Sequence, residues 1–287
     1  VVAPSSPFDA GRFETGLAEL AQLGFALHVP GAARKRCGFL AGTDAERARL
    51  VNDLFADPEI AVVWCARGGY GAMRCLPLVD FEGIRQNPKL LVGSSDATAL
   101  LTSVVMRSGI PVCHGPMVVS LADRDEETLE GIRGLFGRAG AGAIHAKPPV
   151  VIHGGRVEGL VVGGNLTTLN HLTGTPFEPD YSGCLVFFED IGEAPYRIDR
   201  MLTQMRMAGS LSAAAGLLLG RFSGCGRAEA VHGVFEERLG DLGIPILAGI
   251  PAGHAHPNLM MPMGVKAMLD ADAGVVSYCE PLFAKRS

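Results

Sequence analysis

Strand-like and helix-like runs alternate through the first half of the chain, and that alternation restricts the fold more than any other feature. Val1-Val2-Ala3 reads as a short strand ending in the turn Pro4-Ser5-Ser6-Pro7. Phe13, Leu17, Leu20 and Leu23 then recur at helical spacing until Gly24. Thr43-Asp44-Ala45-Glu46 is a capping box with Leu50, Val51, Leu54 and Phe55 behind it as one apolar face, and Pro58 ends that helix. Residues 60–66 form a continuous apolar run, as expected of a parallel strand covered on both faces. After a short helix to about Val79 come a strand at Leu90–Gly93, a helix from Asp96 to Arg107, a strand at Ile110–Cys113 and a helix from Glu126 to Phe136. Repeated strand–helix units imply a doubly wound parallel sheet, whose ligands bind at the carboxyl ends of the strands. That rule directs attention to the loops at 67–71, 93–96 and 113–116.

Residues 137–155 break the alternation with Gly-Arg-Ala-Gly-Ala-Gly, Lys147-Pro148-Pro149 and Gly154-Gly155. The expected organisation is an α/β domain at 1–140, a linker at 141–155 and a β-rich, mixed domain at 156–287. In the latter, strands are expected at Val157–Val162, Cys184–Phe188, Leu217–Leu219, Ile244–Ile250, Val265–Leu269 and Val275–Tyr278. One helix, roughly Tyr196–Ala208, interrupts them, and residues 270–274 make a hairpin loop.

Composition excludes several function classes. A net charge of −5 without a long basic run argues against a sequence-independent nucleic-acid binder. Arg34-Lys35-Arg36 is read as a solvated loop. No stretch approaches the roughly 18 apolar residues of a membrane span. The seven cysteines are odd in number, scattered and without a CxxC, which favours free thiols in a reducing, cytoplasmic setting; no signal peptide is visible. Glycine supplies 38 of the 287 residues, against a usual ~7%, so many tight turns or close backbone approaches are required.

Gly93-Ser94-Ser95-Asp96-Ala97 joins a buried strand to a helix and approximates a nucleophile elbow, G-x-S-x-G, with Ala in the last place. Either serine could instead only cap the helix; Ser95 is the one immediately before it. Arg67-Gly68-Gly69-Tyr70-Gly71 lets the backbone approach a ligand and present an N–H to an oxyanion, or is merely a tight turn. It matches neither phosphate-binding glycine motif. A serine nucleophile needs a base and an orienter. His254 lies in a glycine-flanked loop and Glu189 ends a very apolar strand, so the order Ser95, Glu189, His254 suits a triad. Spacing alone does not bring them together. His254-Ala255-His256 invites a metal reading, but no further ligands stand at metal spacing. His114 and His171 read as structural or pocket-lining.

As a set, Ala3-Pro4-Ser5-Ser6-Pro7, Ala66-Arg67-Gly68-Gly69-Tyr70-Gly71, Gly93-Ser94-Ser95-Asp96, His114-Gly115-Pro116-Met117, Gly163-Gly164-Asn165-Leu166, Phe188-Glu189-Asp190-Ile191-Gly192-Glu193, Tyr196–Leu202 and Gly253-His254 resemble the LD-carboxypeptidase family of serine peptidases. The likeness spans nearly the entire chain in order. It implies a Rossmann-like N-terminal domain and a C-terminal domain built on a flattened β-barrel of the swivelling type, with the site between them. It further implies a triad of Ser95, Glu189 and His254, the nucleophile holding the third place of a G-[aromatic]-S-D motif. Ser94 departs from that motif, where an aromatic is commoner. The implied oxyanion donors are the N–H groups of Asp96 and of the Gly68-Gly69 turn. Arg67, Arg197 and Asn165 are the candidate substrate contacts, a guanidinium being suited to a free carboxylate. The implied reaction releases terminal D-alanine from a murein tetrapeptide without metal or organic cofactor, in a possible homodimer. A microcin C immunity-type branch acting on a peptide–nucleotide antibiotic, and a non-catalytic α/β sugar- or nucleotide-binding protein, are the alternatives.

Overall fold

The computed structural model describes residues 1–137 and 142–282. The glycine-rich start of the expected linker, 138–141, and the tail 283–287 lie outside them. In the first half, α1 (Ala10–Gln22), α2 (Asp44–Ala56), β1 (Val62–Trp64), α3 (Ala72–Cys75), α4 (Phe81–Gln86), β2 (Leu90–Gly93), α5 (Thr98–Ser108), β3 (Val112–His114) and α6 (Glu126–Gly137) follow in order. The expected alternation is therefore present. The capping box forms as read: Thr43 Oγ1 accepts from Glu46 N, and the Glu46 carboxylate accepts from Thr43 N.

β1, β2 and β3 pair in parallel. Their side chains are covered on both faces, Val63, Leu91, Val92 and Cys113 being fully buried, which explains the unbroken apolar runs. Val2 extends this sheet only by a single parallel bridge to Cys65. The fourth strand was not foreseen. It comes from far down the chain: Met261–Met263, strand β10, lies antiparallel on β3.

The second half contains β4 (Ala143–His145), β5 (Val150–His153), β6 (Arg156–Asn165), α7 (Leu166–Leu172), β7 (Cys184–Ile191), α8 (Pro195–Met207), β8 (Gly216–Ser223), α9 (Ala228–Leu239), β9 (Ile246–Gly253), β10 (Met261–Met263), β11 (Lys266–Asp270) and β12 (Val275–Tyr278). All but β10 form one eight-stranded sheet in the order β4-β12-β11-β6-β7-β8-β9-β5. Within it β6, β7, β8 and β9 run parallel, with α7, α8 and α9 as connections. The single helix expected here is thus one of three. α7 and α9 are real helices whose apolar residues Leu166, Leu169 and Leu172, and Val231, Phe235 and Leu239, are buried.

One expectation is corrected by this sheet. Residues 143–153 carry both edge strands, β4 and β5, where a linker was expected, and Pro148 and Pro149 lie in the crossing between the edges. The expected flattened barrel takes the form of a curled, unclosed sheet: among the described residues β4 and β5 are not paired with each other. Residues 146–149 nevertheless join them directly, with Ala146 N donating to Gly274 O and Lys147 N to Gly249 O. The sheet is curled until its two edges almost meet.

Candidate active site

Parallel strands deliver their carboxyl ends to the same side of a sheet, and here both sheets aim those ends at one cleft. β2 ends at Ser94-Ser95, β3 at His114, β6 at Asn165, β7 near Glu189 and β9 at Gly253-His254. The register sets these against one another: Gly93 lies beside His114, Asn165 beside Glu189, and Gly253 beside Arg221.

Ser95 opens a one-turn 3-10 helix directly after β2 and before α5, with φ of 59°. Serine rarely adopts this left-handed conformation, and its cost is tolerated where the geometry serves a site. The capping alternative is not realised: Ser94, at the N-cap of this turn, makes no side-chain capping bond. Gly68 packs on the Ser95 side chain so closely that a Cβ there would stand 2.7 Å from Ser95 Cβ and 2.9 Å from Ser95 Oγ. Gly68 is held by its carbonyl, which accepts from Ser6 N, and Ser6 Oγ in turn accepts from Tyr70 N. The Asp96 carboxylate, nearly buried, accepts from Ala72 N at 2.8 Å and so fastens the start of α3 to the serine turn.

Glu189 is fully buried. A buried carboxylate is tolerated only when paired, and its Oε2 lies 2.6 Å from His254 Nδ1. Burial pushes the Glu189 carboxyl up, but its contacts with His114 and His254 outweigh this and hold it at about 2. Burial likewise pushes His254 down. The hydrogen bond and charge of Glu189, helped by Asp190, reverse that and leave the imidazole above its ordinary value. Gly253 explains itself here: its φ is +129°, and a Cβ would lie 2.9 Å from Glu189 Oε2. The cleft beside His254 is lined from both halves by Ser94, Met117, Ile191, Gly253, His254 and Asn258, among others.

The remaining expected site residues have other partners. Asn165 caps α7, its Oδ1 accepting from Thr168 N, while its Nδ2 donates to Asp190. Its backbone N–H donates to Thr98 Oγ1 at 3.1 Å, which ties β6 to α5 beside the serine turn. Exposed Arg67 donates from one guanidinium nitrogen to Pro7 O at 2.7 Å. Arg197, also exposed, faces Glu193 at 3.5 Å and the Tyr196 hydroxyl. The two histidines of 254–256 diverge, His256 turning to Asp123 at 3.9 Å. Among the described residues no cluster of three potential ligands could hold a metal ion. His114, read from the sequence as structural or pocket-lining, is fully buried and places Nε2 3.5 Å from Glu189 Oε1. Its place at the carboxyl end of β3 was the available signal.

Comparison with known proteins fits this arrangement. Residues 1–115 match the model of the LD-carboxypeptidase N-terminal domain and residues 158–269 that of the C-terminal domain. The chain belongs to the LD-carboxypeptidase family. A probable murein peptide carboxypeptidase of Bacillus subtilis is 37% identical, the match covering 94% of this chain and 88% of that protein. A murein tetrapeptide carboxypeptidase of Pseudomonas aeruginosa is 32% identical over 95% of this chain and 92% of its own. Among solved LD-carboxypeptidase structures, a muramoyltetrapeptide carboxypeptidase from Oxalobacter formigenes superposes with a TM-score of 0.84 at 30% identity, covering 96% of each chain. The microcin C7 self-immunity protein bound to glutamyl sulfamoyl guanosine gives 0.86 at 25% identity, covering 99% of this chain and 96% of that one.

Proposed function

We propose that this protein is a serine carboxypeptidase that cleaves the L,D-peptide bond of murein tetrapeptides and releases terminal D-alanine. The observation that carries the reading is the pair of buried Glu189 and half-buried His254, 2.6 Å apart, on the cleft bordered by the strained Ser95 turn. His254 takes the Ser95 proton, and the Ser95 oxygen attacks the carbonyl carbon of the L-centre before the terminal D-residue. The oxyanion is received by the Asp96 N–H and by the Gly68-Gly69 turn, where the Gly69 N–H has no partner among the described residues. As the tetrahedral carbon collapses, the C–N bond breaks and His254 returns its proton to the departing amine. His254 then takes a proton from water, whose oxygen attacks the ester carbon, and as the ester C–O bond breaks His254 returns that proton to the departing Ser95 oxygen. Glu189 keeps the His254 tautomer in place and stabilises the imidazolium.

Substrate choice is supported by the two murein peptide carboxypeptidases at 37% and 32% identity, against 28% for the microcin C7 self-immunity protein of Escherichia coli. We place the substrate carboxylate at Arg67, adjacent to Gly68, with Arg197 and the spare Asn165 amide hydrogen as secondary contacts. The cellular setting we propose is cytoplasmic peptide recycling: all seven cysteines are free thiols, which suits a reducing compartment. No helix among the described residues is long and apolar enough to cross a membrane. A homodimer, implied by family resemblance, is part of the proposal and is read by sedimentation.

D-alanine release from a synthetic tetrapeptide tests the reading. Ser95→Ala is expected to reduce release by about 10³-fold or more, and a substrate ending in L-alanine should be refused. Undiminished release by Ser95→Ala would remove the serine mechanism.

A further inference from the structure

The pair Glu189–His254 leaves one carboxylate oxygen without a hydrogen bond. Glu189 Oε1 and both ring nitrogens of His114 are buried and have no hydrogen-bond partner among the described residues. Such groups are rare in folded proteins, and here they face each other: His114 Nε2 stands 3.5 Å from Oε1, slightly beyond hydrogen-bond length. Both side chains are wholly inaccessible. Phe187 packs edge-on against the imidazole at 5.1 Å. The ring is carried by β3, which pairs with β2 beside the serine turn and with β10 on its far side. The backbone that aims Ser95 thus also aims His114.

We infer that His114 is a positioning residue for the reaction: its Nε2–H faces Glu189 Oε1 and fixes the carboxylate so that Oε2 remains aimed at His254 Nδ1. This rests on the triad reading above. The contact shortens as the His254 imidazolium forms, because separations in a resting site are commonly longer than those in the reacting complex. His114 touches neither substrate nor the reacting atoms. It acts through Glu189, which a single hydrogen bond would leave free to turn about its last torsion.

Glutamine and asparagine separate donor position from bulk, because a glutamine amide nitrogen reaches the Nε2 place and an asparagine amide nitrogen only the Nδ1 place. In D-alanine release assays, His114→Asn and His114→Leu are expected to lower kcat about tenfold or more with KM unchanged, and His114→Gln to restore most of it. Equal losses in His114→Gln and His114→Asn, or a loss confined to KM, would overturn the assignment. So would full kcat in His114→Asn. If the leucine variant does not fold, the Gln–Asn comparison decides alone. Ser95→Ala in the same assay keeps the two claims apart. If it is active the triad itself fails, whereas an inactive Ser95→Ala beside unaffected His114 variants removes only the role of His114.

Discussion

A serine hydroxyl becomes a nucleophile only when its neighbours leave it no room to turn away and a base waits beside it. Gly68 supplies the first condition. A methyl group there would collide with the Ser95 side chain at 2.7 Å, so Gly68→Ala is expected to displace the hydroxyl. D-alanine release should fall about 10²-fold with little change in the circular dichroism spectrum; near-normal turnover would show that the glycine only forms a turn. In the proposed mechanism Glu189 and His254 supply the second condition. His254 must be neutral to accept a proton, and Glu189 raises it above its ordinary 6.5, so the acid limb of the rate profile should have its midpoint above that value. Glu189→Gln removes the charge that holds the imidazolium. Burial then dominates and the limb should move to lower pH, while kcat falls because the tautomer is no longer fixed. A limb that stays in place would contradict the coupling. At Arg67, a lysine keeps the charge but loses the planar fork. Arg67→Lys is accordingly expected to raise KM for the tetrapeptide about tenfold with kcat nearly intact.

At the scale of elements, the site depends on short pieces anchored by single bonds. α3 has only four residues, too few to hold itself, and the Asp96 carboxylate fixes its first N–H. Asp96→Ala should destabilise the protein by about 1–3 kcal/mol, read as a lower melting temperature, whereas Asp96→Asn retains an acceptor and should lose much less. The elements legible in the sequence were those with long apolar runs or side-chain caps. Residues 60–66 and Leu90–Gly93 announce buried parallel strands, Cys184–Phe188 announces a strand, and Thr43 with Glu46 announces α2. β4, β5 and β10 are three or four residues long and exist because neighbouring edges offer partners. α7 and α9 follow helical spacing, but in a stretch dominated by short apolar runs that spacing was absorbed into strand or loop. For the site, chain order was compatible with a triad of Ser95, Glu189 and His254 and the family resemblance implied it; the structure brings Glu189 and His254 together. The His114–Glu189 contact was hidden because it joins β3 to β7 across two different sheets.

At the scale of the molecule, the two sheets are interlocked rather than merely adjacent. β10 leaves the second half and pairs with β3 in the first, with Met261 opposite His114. A fragment ending at 137 therefore carries a bare β3 edge beside buried apolar faces, and it is expected to aggregate; a soluble, monomeric fragment in size-exclusion chromatography would refute this. The stretch from 254 to 260 is pinned at both ends, by β9 in one sheet and by β10 in the other. His254 sits at its start, so its distance from the serine turn is set by how the two sheets meet. This arrangement dictates an order of events during synthesis. A growing chain completes its serine turn early and carries it without a base until residues beyond 263 have emerged and β10 has taken its place. Hydrolysis therefore has to be the last property the chain acquires, and a ribosome stalled midway should display a protein without activity.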